Sequence, residues 1–237
     1  MNQHAHGTSA RNVQMARSMC WHCQSEVSGE YFCERCVKVQ PVSKDADYFS
    51  CLGLPRRLTI DPSLLEARYY ERSRAFHPDF YLNKTEAEQA ISLANAAILN
   101  TAYRTLRDPI QRAEYLLDLE AGAVKTIRTS PPADLFEEIL EVQDTLDAYR
   151  AGDPSSETSR QLRARLDDER QSLERRQFEM EQELQRLFVE WDALQDRGTA
   201  DSQSRMERDR LLKRMRELLS NRTYVKNIVN DLVETIG

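Results

Sequence analysis

Glycine and proline are scarce in this chain, which has seven glycines and eight prolines among 237 residues, about half of an average share. A β-sandwich or barrel needs a turn, with its glycine or proline, roughly every eight to twelve residues. Long apolar runs are missing as well, since no stretch approaches the roughly 18 consecutive apolar residues of a membrane span. With 40% hydrophobic and 30% charged residues, the composition favours amphipathic helices. We therefore expect an all-α fold and no membrane partner.

The signatures of catalysis are also missing. The sequence contains no glycine-rich phosphate loop, no nucleophile–base pair and no open metal site, so we expect that the chain is not an enzyme. Its net charge of −6 argues against a nucleic-acid partner, since phosphate binding needs a basic surplus. A zinc-ribbon module that binds nucleic acid or protein stays open as an alternative, although residues 20–40 hold only two bases against three glutamates.

The start of the chain is free of acidic residues before Glu26 and contains Arg11 and Arg17. Because residues 1–18 lack an apolar run, we expect no secretory signal peptide. Two interpretations fit this composition, an organelle transit segment and an unstructured start without a targeting signal. We predict that residues 1–19 are unstructured.

Four of the five cysteines are clustered as two Cys-x-x-Cys pairs, and we assign residues 20–40 to a metal-binding module. The four are Cys20, Cys23, Cys33 and Cys36. Such clustering in a cysteine-poor chain favours a metal site in a reducing compartment over disulfides. Four thiolates complete a tetrahedron around zinc and leave no open position, so we predict structural zinc. The remaining Cys51 is interpreted as a small buried hydrophobe.

Residues 45–122 carry four helix-start signals in which a side chain caps the first turn. They are Asp47, Asp61-Pro62, Thr85-x-x-Glu88 and Asp108-Pro109. These signals predict four short helices with an exposed loop at residues 77–84.

Residues 131–237 have the pattern of three longer helices with matching apolar seams. The first runs over 132–151, the second from about Glu157 to Gln195, and the third follows a turn at Gly198 to Asp201. Since one such helix alone would be marginal in water, we predict a three-helix bundle.

Several motifs in this order resemble the HscB/Jac-type J co-chaperones of iron–sulfur cluster biogenesis. They are Asp47-Tyr48-Phe49, Leu52-Gly53-Leu54, His77-Pro78-Asp79, Asn100 to Pro109 and Arg112 to Leu117. The resemblance covers roughly residues 20–237 and includes the four-cysteine knuckles of some eukaryotic members. It implies an all-α fold, with a four-helix J domain followed by a three-helix bundle and preceded by a small metal-binding knuckle pair.

The resemblance also implies a function without covalent chemistry. J domains bind a heat-shock-type ATPase chaperone of the DnaK/mortalin class and stimulate its ATP hydrolysis. The motif of the family maps onto His77, Pro78 and Asp79, and its basic helix face onto Arg68, Arg72 and Arg74. Eukaryotic members work in the mitochondrial matrix, with a cytoplasmic location as the alternative. A general J protein for unfolded clients stays open as another function.

The second partner implied by the resemblance is the iron–sulfur cluster scaffold protein. Its predicted contacts are Phe136, Leu140, Glu141, Asp144 and Leu218. Apart from the resemblance, Phe136 and Leu140 lie four apart beside the core seam, in a segment (131–152) with six acids and one base. Apolar centres with a charged rim are typical of a modest interface, although these two side chains would also fit a wider bundle core.

Overall fold

Helices dominate the structure, a computed structural model that describes residues 18–27, 31–43, 45–121, 133–197 and 201–237. The helices are α1 (Tyr48–Cys51), α2 (Pro62–Phe76), α3 (Glu86–Arg107), α4 (Pro109–Ala121), α5 (Ala133–Ala151), α6 (Glu157–Arg197) and α7 (Ser202–Ile236). A short 3-10 helix, Pro78–Tyr81, lies between α2 and α3. The strands β1 (Ser18–Met19) and β2 (Glu26–Val27) form an antiparallel pair. The all-α prediction is confirmed. Most of the start predicted as unstructured (1–19) and the predicted linker (125–130) lie outside the described residues.

The predicted caps explain where three of the short helices begin. The Ser50 N–H donates to Asp47 Oδ1 at 2.8 Å, and Asp108 Oδ1 accepts from the N–H of Ile110 at the start of α4. At the start of α3, the Glu88 N–H donates to Thr85 Oγ1 (3.3 Å) and the Thr85 N–H donates back to Glu88 Oε2 (3.2 Å). Each bond satisfies a backbone donor that the first turn leaves free.

Contacts divide the chain into two units. The first contains residues up to Pro55 together with Pro62–Leu106, and the second contains Arg56–Asp61 and Arg107–Gly237. Helix α4 therefore belongs to the second unit, where it packs against α7, although the sequence analysis grouped it with residues 45–122. The boundaries predicted from the sequence stay predictions.

The core of the first unit combines apolar side chains with buried polar ones. Its buried apolar members are Phe49, Leu52, Leu65, Phe76, Leu99, Ala102 and Leu106. On α3, however, Ser92 and Asn95 point inward while Leu93 is exposed. Ser92 Oγ donates to the Phe76 carbonyl at 2.7 Å, which satisfies both groups inside the core.

The second unit is built on the predicted seams of α5, α6 and α7. The seam residues Leu135, Ile139, Val142 and Leu146 of α5 are buried. Arg222 interrupts the apolar seam of α7. It donates to Glu181 Oε1 of α6 at 2.7 Å, so an ion pair between the two helices takes the place of an apolar contact. No helix of the described residues combines the length and the apolar character that a membrane crossing requires.

Asp192 of α6 holds the loop Arg56–Asp61 within the second unit. Its two carboxylate oxygens accept the N–H of Leu58 at 2.9 Å and the N–H of Thr59 at 2.7 Å. Asp192 and Leu58 are both buried, so the first of these bonds satisfies a backbone donor that water does not reach.

Candidate metal centre and partner-binding surfaces

The four clustered cysteines converge on one point in the first unit. Their Sγ atoms all lie within 4.8 Å of one another. The N–H groups of His22 and Cys23 point at Cys20 Sγ (3.4 and 3.5 Å), which suits a thiolate. The residue after each pair, Gln24 and Val37, has a positive φ (55° and 57°), and this backbone turn brings both sulfurs of a pair to the same side. The residues fit a tetrahedral metal site.

The thiols of Cys33 and Cys36 have different surroundings. A hydrogen bond with the Ser25 hydroxyl, 3.2 Å from Cys33 Sγ, lowers the pKa of Cys33 to about 6, whereas burial raises the pKa of Cys36 to about 12. Zinc binds cysteine as the thiolate, so metal binding at this site would release protons from the thiols. Cys51 is separate and buried, and burial raises the pKa of its thiol to about 11, so its predicted role as a hydrophobe is confirmed.

The His77-Pro78-Asp79 segment lies at the turn between α2 and α3. The side chains of His77 and Asp79 are 51% and 75% exposed, and the His77 ring packs edge-on against Phe80 at 5.9 Å. The predicted open loop is in fact partly a 3-10 helix. Its last residue, Tyr81, is buried and donates its hydroxyl to the Ala75 carbonyl at 2.8 Å, which fixes the turn against the end of α2.

The three predicted basic residues of α2 differ in their surroundings. Arg74 is exposed, and Arg68 is half-buried and pairs with Glu71 at 3.1 Å. Arg72 is directed into the first unit, where NH1 donates to the Cys51 carbonyl at 2.6 Å. Its guanidinium also lies against Gly53, which has a φ of +64° and where any Cβ would come within 2.1 Å of Arg72 NH2. Arg72 thus has a structural contact, in addition to the role predicted for it.

The acidic face of α5 presents most of the residues predicted to contact a scaffold. Phe136 and Leu140 are 51% and 43% exposed, and Glu141 and Asp144 are exposed beside them. Leu218 is different, because it is buried in the seam of α7. We therefore exclude Leu218 from the α5 surface, which we define by Phe136, Leu140, Glu141 and Asp144.

Sequence reasoning missed the polar residues that join the cysteine module to the helices of the first unit. Lys38 pairs with Glu88 at 3.0 Å, and Asn95 bonds to the backbone of Gln40 and Val42. The periodicity of α3 counts only apolar residues, so it gives no weight to an asparagine on the inward face. Asn95 lies on the same face of α3 as Leu99 and Leu106, and this spacing was the signal that could have identified it as an inward-facing polar residue.

No protein-family model matches the chain. It is 29% identical over 188 residues to the iron-sulfur cluster co-chaperone protein HscB of Mus musculus, which covers 75% of this chain and 80% of the mouse protein. It is 33% identical over 127 residues to an HscB homolog of Arabidopsis thaliana, which covers 54% of this chain and 50% of the plant protein.

A solved structure has the same fold. The crystal structure of human co-chaperone protein HscB superposes with a TM-score of 0.64 at 23% identity, over 92% of this chain and 98% of the human one. The predicted resemblance to HscB-type co-chaperones is confirmed by the curated relatives, and the predicted fold is confirmed by the superposition.

Proposed function

We propose that this HscB-type chain stimulates the ATPase of a heat-shock-type chaperone and delivers an iron–sulfur cluster scaffold protein to it. The observation that carries the proposal is the exposed His77-Pro78-Asp79 segment, held between α2 and α3 by the buried Tyr81. The names of the mouse and plant relatives, which are iron-sulfur cluster co-chaperones, support it. In this role the chain is a regulator without a catalytic residue of its own.

The turn gives the ATPase chaperone a compact recognition surface. His77 and Asp79 supply polar groups, and Phe80 and Leu82, which are 67% and 69% exposed, supply apolar area beside them. The exposed Arg74 and the half-buried Arg68 on α2 add positive charge near this segment. Such charges steer an acidic partner and raise its association rate more than its affinity. We place Arg72 in a supporting role, since it bonds to the Cys51 carbonyl.

The α5 surface is our candidate for scaffold binding. Its two apolar side chains lie one turn apart, and the neighbouring carboxylates form a charged rim. Burial of each apolar anchor at an interface contributes roughly 1–3 kcal/mol. The rim would favour a partner with basic residues around an apolar centre.

The cysteine site is proposed to hold zinc. Four sulfur ligands suit Zn²⁺, and a filled tetrahedron has no position for a substrate. Cys20, Cys23, Cys33 and Cys36 would hold the ion, which would supply a structural cross-link. We also propose a mitochondrial matrix location, supported by the family resemblance and the acid-free start of the sequence, most of which lies outside the described residues.

Two substitutions test the two binding roles separately. We expect His77→Gln to abolish stimulation of ATP hydrolysis by a purified DnaK-class chaperone, while calorimetry shows unchanged scaffold binding.

We expect Phe136→Ala combined with Leu140→Ala to weaken scaffold binding at least several-fold, while the low-level stimulation measured without scaffold is unchanged. Retained stimulation by His77→Gln would contradict the first role, and an unchanged dissociation constant of the double variant would move the scaffold site elsewhere. Binding of many denatured chains in place of one folded scaffold would favour a general J protein.

A further inference from the structure

The cysteine module contacts both ends of residues 76–88, the segment that contains His77-Pro78-Asp79. We define the module as residues 18–27 and 31–43. At the N-terminal end, the Tyr31 ring packs edge-on against Phe76 with 4.9 Å between ring centroids. At the C-terminal end, Lys38 Nζ lies 3.0 Å from Glu88 Oε2. Phe76 directly precedes His77, so the module reaches the segment from both sides.

Glu88 performs two tasks at the second of these ends. It completes the cap of α3 with Thr85, whose hydroxyl donates to Glu88 Oε2 at 2.8 Å, and it accepts the Lys38 ammonium on the same oxygen. Glu88 is only 4% exposed, and a buried carboxylate is costly unless it is paired and hydrogen-bonded. Loss of Lys38 would therefore weaken the cap that ends the His-Pro-Asp turn.

A third contact joins α3 through Gln40 to Cys20, one of the predicted metal ligands. Asn95, which is 1% exposed, donates from Nδ2 to the Gln40 carbonyl (2.8 Å) and accepts the Val42 N–H on Oδ1 (2.9 Å). The buried Gln40 side chain in turn donates from Nε2 toward Cys20 Sγ at 3.4 Å. A continuous chain of bonds thus runs from a predicted metal ligand through Gln40 to the middle of α3.

Tyr31 extends the coupling to α1 and α2. Its hydroxyl donates to the Cys51 carbonyl at 3.3 Å, and the Arg72 guanidinium lies over its ring at 4.7 Å. Arg72 donates to the same carbonyl. Because Tyr31 lies two residues before Cys33, its position depends on the fold of the second Cys-x-x-Cys pair.

We propose that the cysteine module positions the His-Pro-Asp segment, so that metal occupancy of the four cysteines controls how well residues 76–92 are ordered. A module of this size has little apolar core apart from its cysteines, Val27 and Val39, so its fold needs the metal cross-link. When the metal leaves, the module loosens, and Tyr31, Lys38 and Gln40 release Phe76, Glu88 and Asn95. The consequence for ATPase stimulation rests on the proposed function, whereas the ordering itself does not.

Hydrogen exchange of the full chain tests the proposal, with zinc-loaded protein compared to protein stripped by a chelator and checked for metal content. We expect amides of residues 76–92 to exchange at least tenfold faster after metal removal, while those of residues 180–194 and 211–229 in the second unit do not change. Equal exchange of residues 76–92 in both states would overturn the proposal. Faster exchange in both units would also overturn it, because that outcome means general unfolding.

Variants show whether the effect passes through the named contacts. Lys38→Met is expected to bind zinc as wild type in a competition titration, yet to exchange several-fold faster over residues 84–92 even when loaded. Lys84→Met, which removes an exposed lysine of the same turn, is the matched control and should behave as wild type. Asn95→Ala should likewise raise exchange in the loaded protein. If Lys38→Met and Asn95→Ala both match wild type, these contacts carry no coupling and the proposal fails.

Assays of ATPase stimulation test the proposed function separately. If metal removal speeds exchange over residues 76–92 but the chain never stimulates ATP hydrolysis, only the proposed function is overturned.

Discussion

In the first unit, buried polar side chains of α3 form hydrogen bonds within an apolar core, whereas in the second unit α5–α7 pack along continuous apolar seams. Asn95, Ser92 and Glu88 lie inside the first unit and are all bonded. In the second unit the buried side chains of α6 and α7 are apolar except for Ser159 and Asp192. Two helical regions of one chain therefore depend on different interactions.

The difference has a physical origin in helix length. At about 1.5 Å per residue, α6 and α7, with 41 and 35 residues, present long apolar stripes to each other. The helices α1 and α2 have 4 and 15 residues and bury less apolar area, so caps, buried polar bonds and a metal cross-link contribute a larger share. We therefore expect metal removal and acid to destabilise mainly the first unit. Loss of buried apolar volume should destabilise mainly the second unit.

The largest effect on this comparison is expected from Leu184→Ala in α6. Leu184 is completely buried, so its truncation should lower the free energy of unfolding of the second unit by about 2–5 kcal/mol. Urea unfolding followed by helical circular dichroism measures this, since α6 and α7 hold most of the helix. Val189→Ala, at a 60% exposed position of the same helix, should change stability by less than about 0.5 kcal/mol. Weakened zinc binding in Leu184→Ala would contradict the separation of the two units.

A smaller effect is expected where the second unit does use a polar contact. Asp192→Ala removes the acceptor of the Leu58 and Thr59 N–H groups. Only the Leu58 donor is buried, so the free energy of unfolding should fall by about 1–3 kcal/mol. Asp196→Ala is the control one turn away, because it removes only an exposed ion pair with Arg57, which contributes about 0–1 kcal/mol. Equal unfolding midpoints for the two variants would show that the Asp192 bonds do not stabilise the loop.

The smallest effect is the pH dependence that Glu88 gives to the first unit. Burial alone would raise the pKa of Glu88, but hydrogen bonds from Lys38 and Thr85 outweigh it and hold the pKa below its ordinary value of 4.5. A lowered folded pKa means that the stabilisation is complete above pH 4.5 and is lost as the pH falls through the folded value. An NMR titration of the Glu88 carboxyl should give a midpoint below 4.5, and Lys38→Met should raise it. A midpoint at or above 4.5 would contradict the Lys38–Glu88 contact.

Local sequence signals predicted the helix starts and the cysteine cluster well. Asp47, Thr85 with Glu88, and Asp108 act on residues two or three positions away, so the information lies within one turn of helix. The two Cys-x-x-Cys pairs are similar, since each pair brings its sulfurs together by a local turn. The seams of α5–α7 followed from periodicity because long helices repeat the same pattern many times.

Other features could not be predicted in this way. Arg72 was predicted to contact the ATPase chaperone and Leu218 the scaffold, yet one bonds inside the first unit and the other lies in the bundle core. Their surroundings depend on residues 21 positions away for Arg72 and on the packing of α7 for Leu218. The grouping of α4 with α7 likewise depends on contacts far apart in sequence.

The sequence by itself determined the all-α class, the helix starts, the cysteine cluster and the exposed His77-Pro78-Asp79 turn, because each depends on neighbours within a few residues. Only the tertiary structure decided that Asn95, Lys38 and Tyr31 join the cysteine module to α2 and α3. A buried polar side chain is stable only where a distant partner satisfies it, and local pattern does not encode which partner the fold will supply.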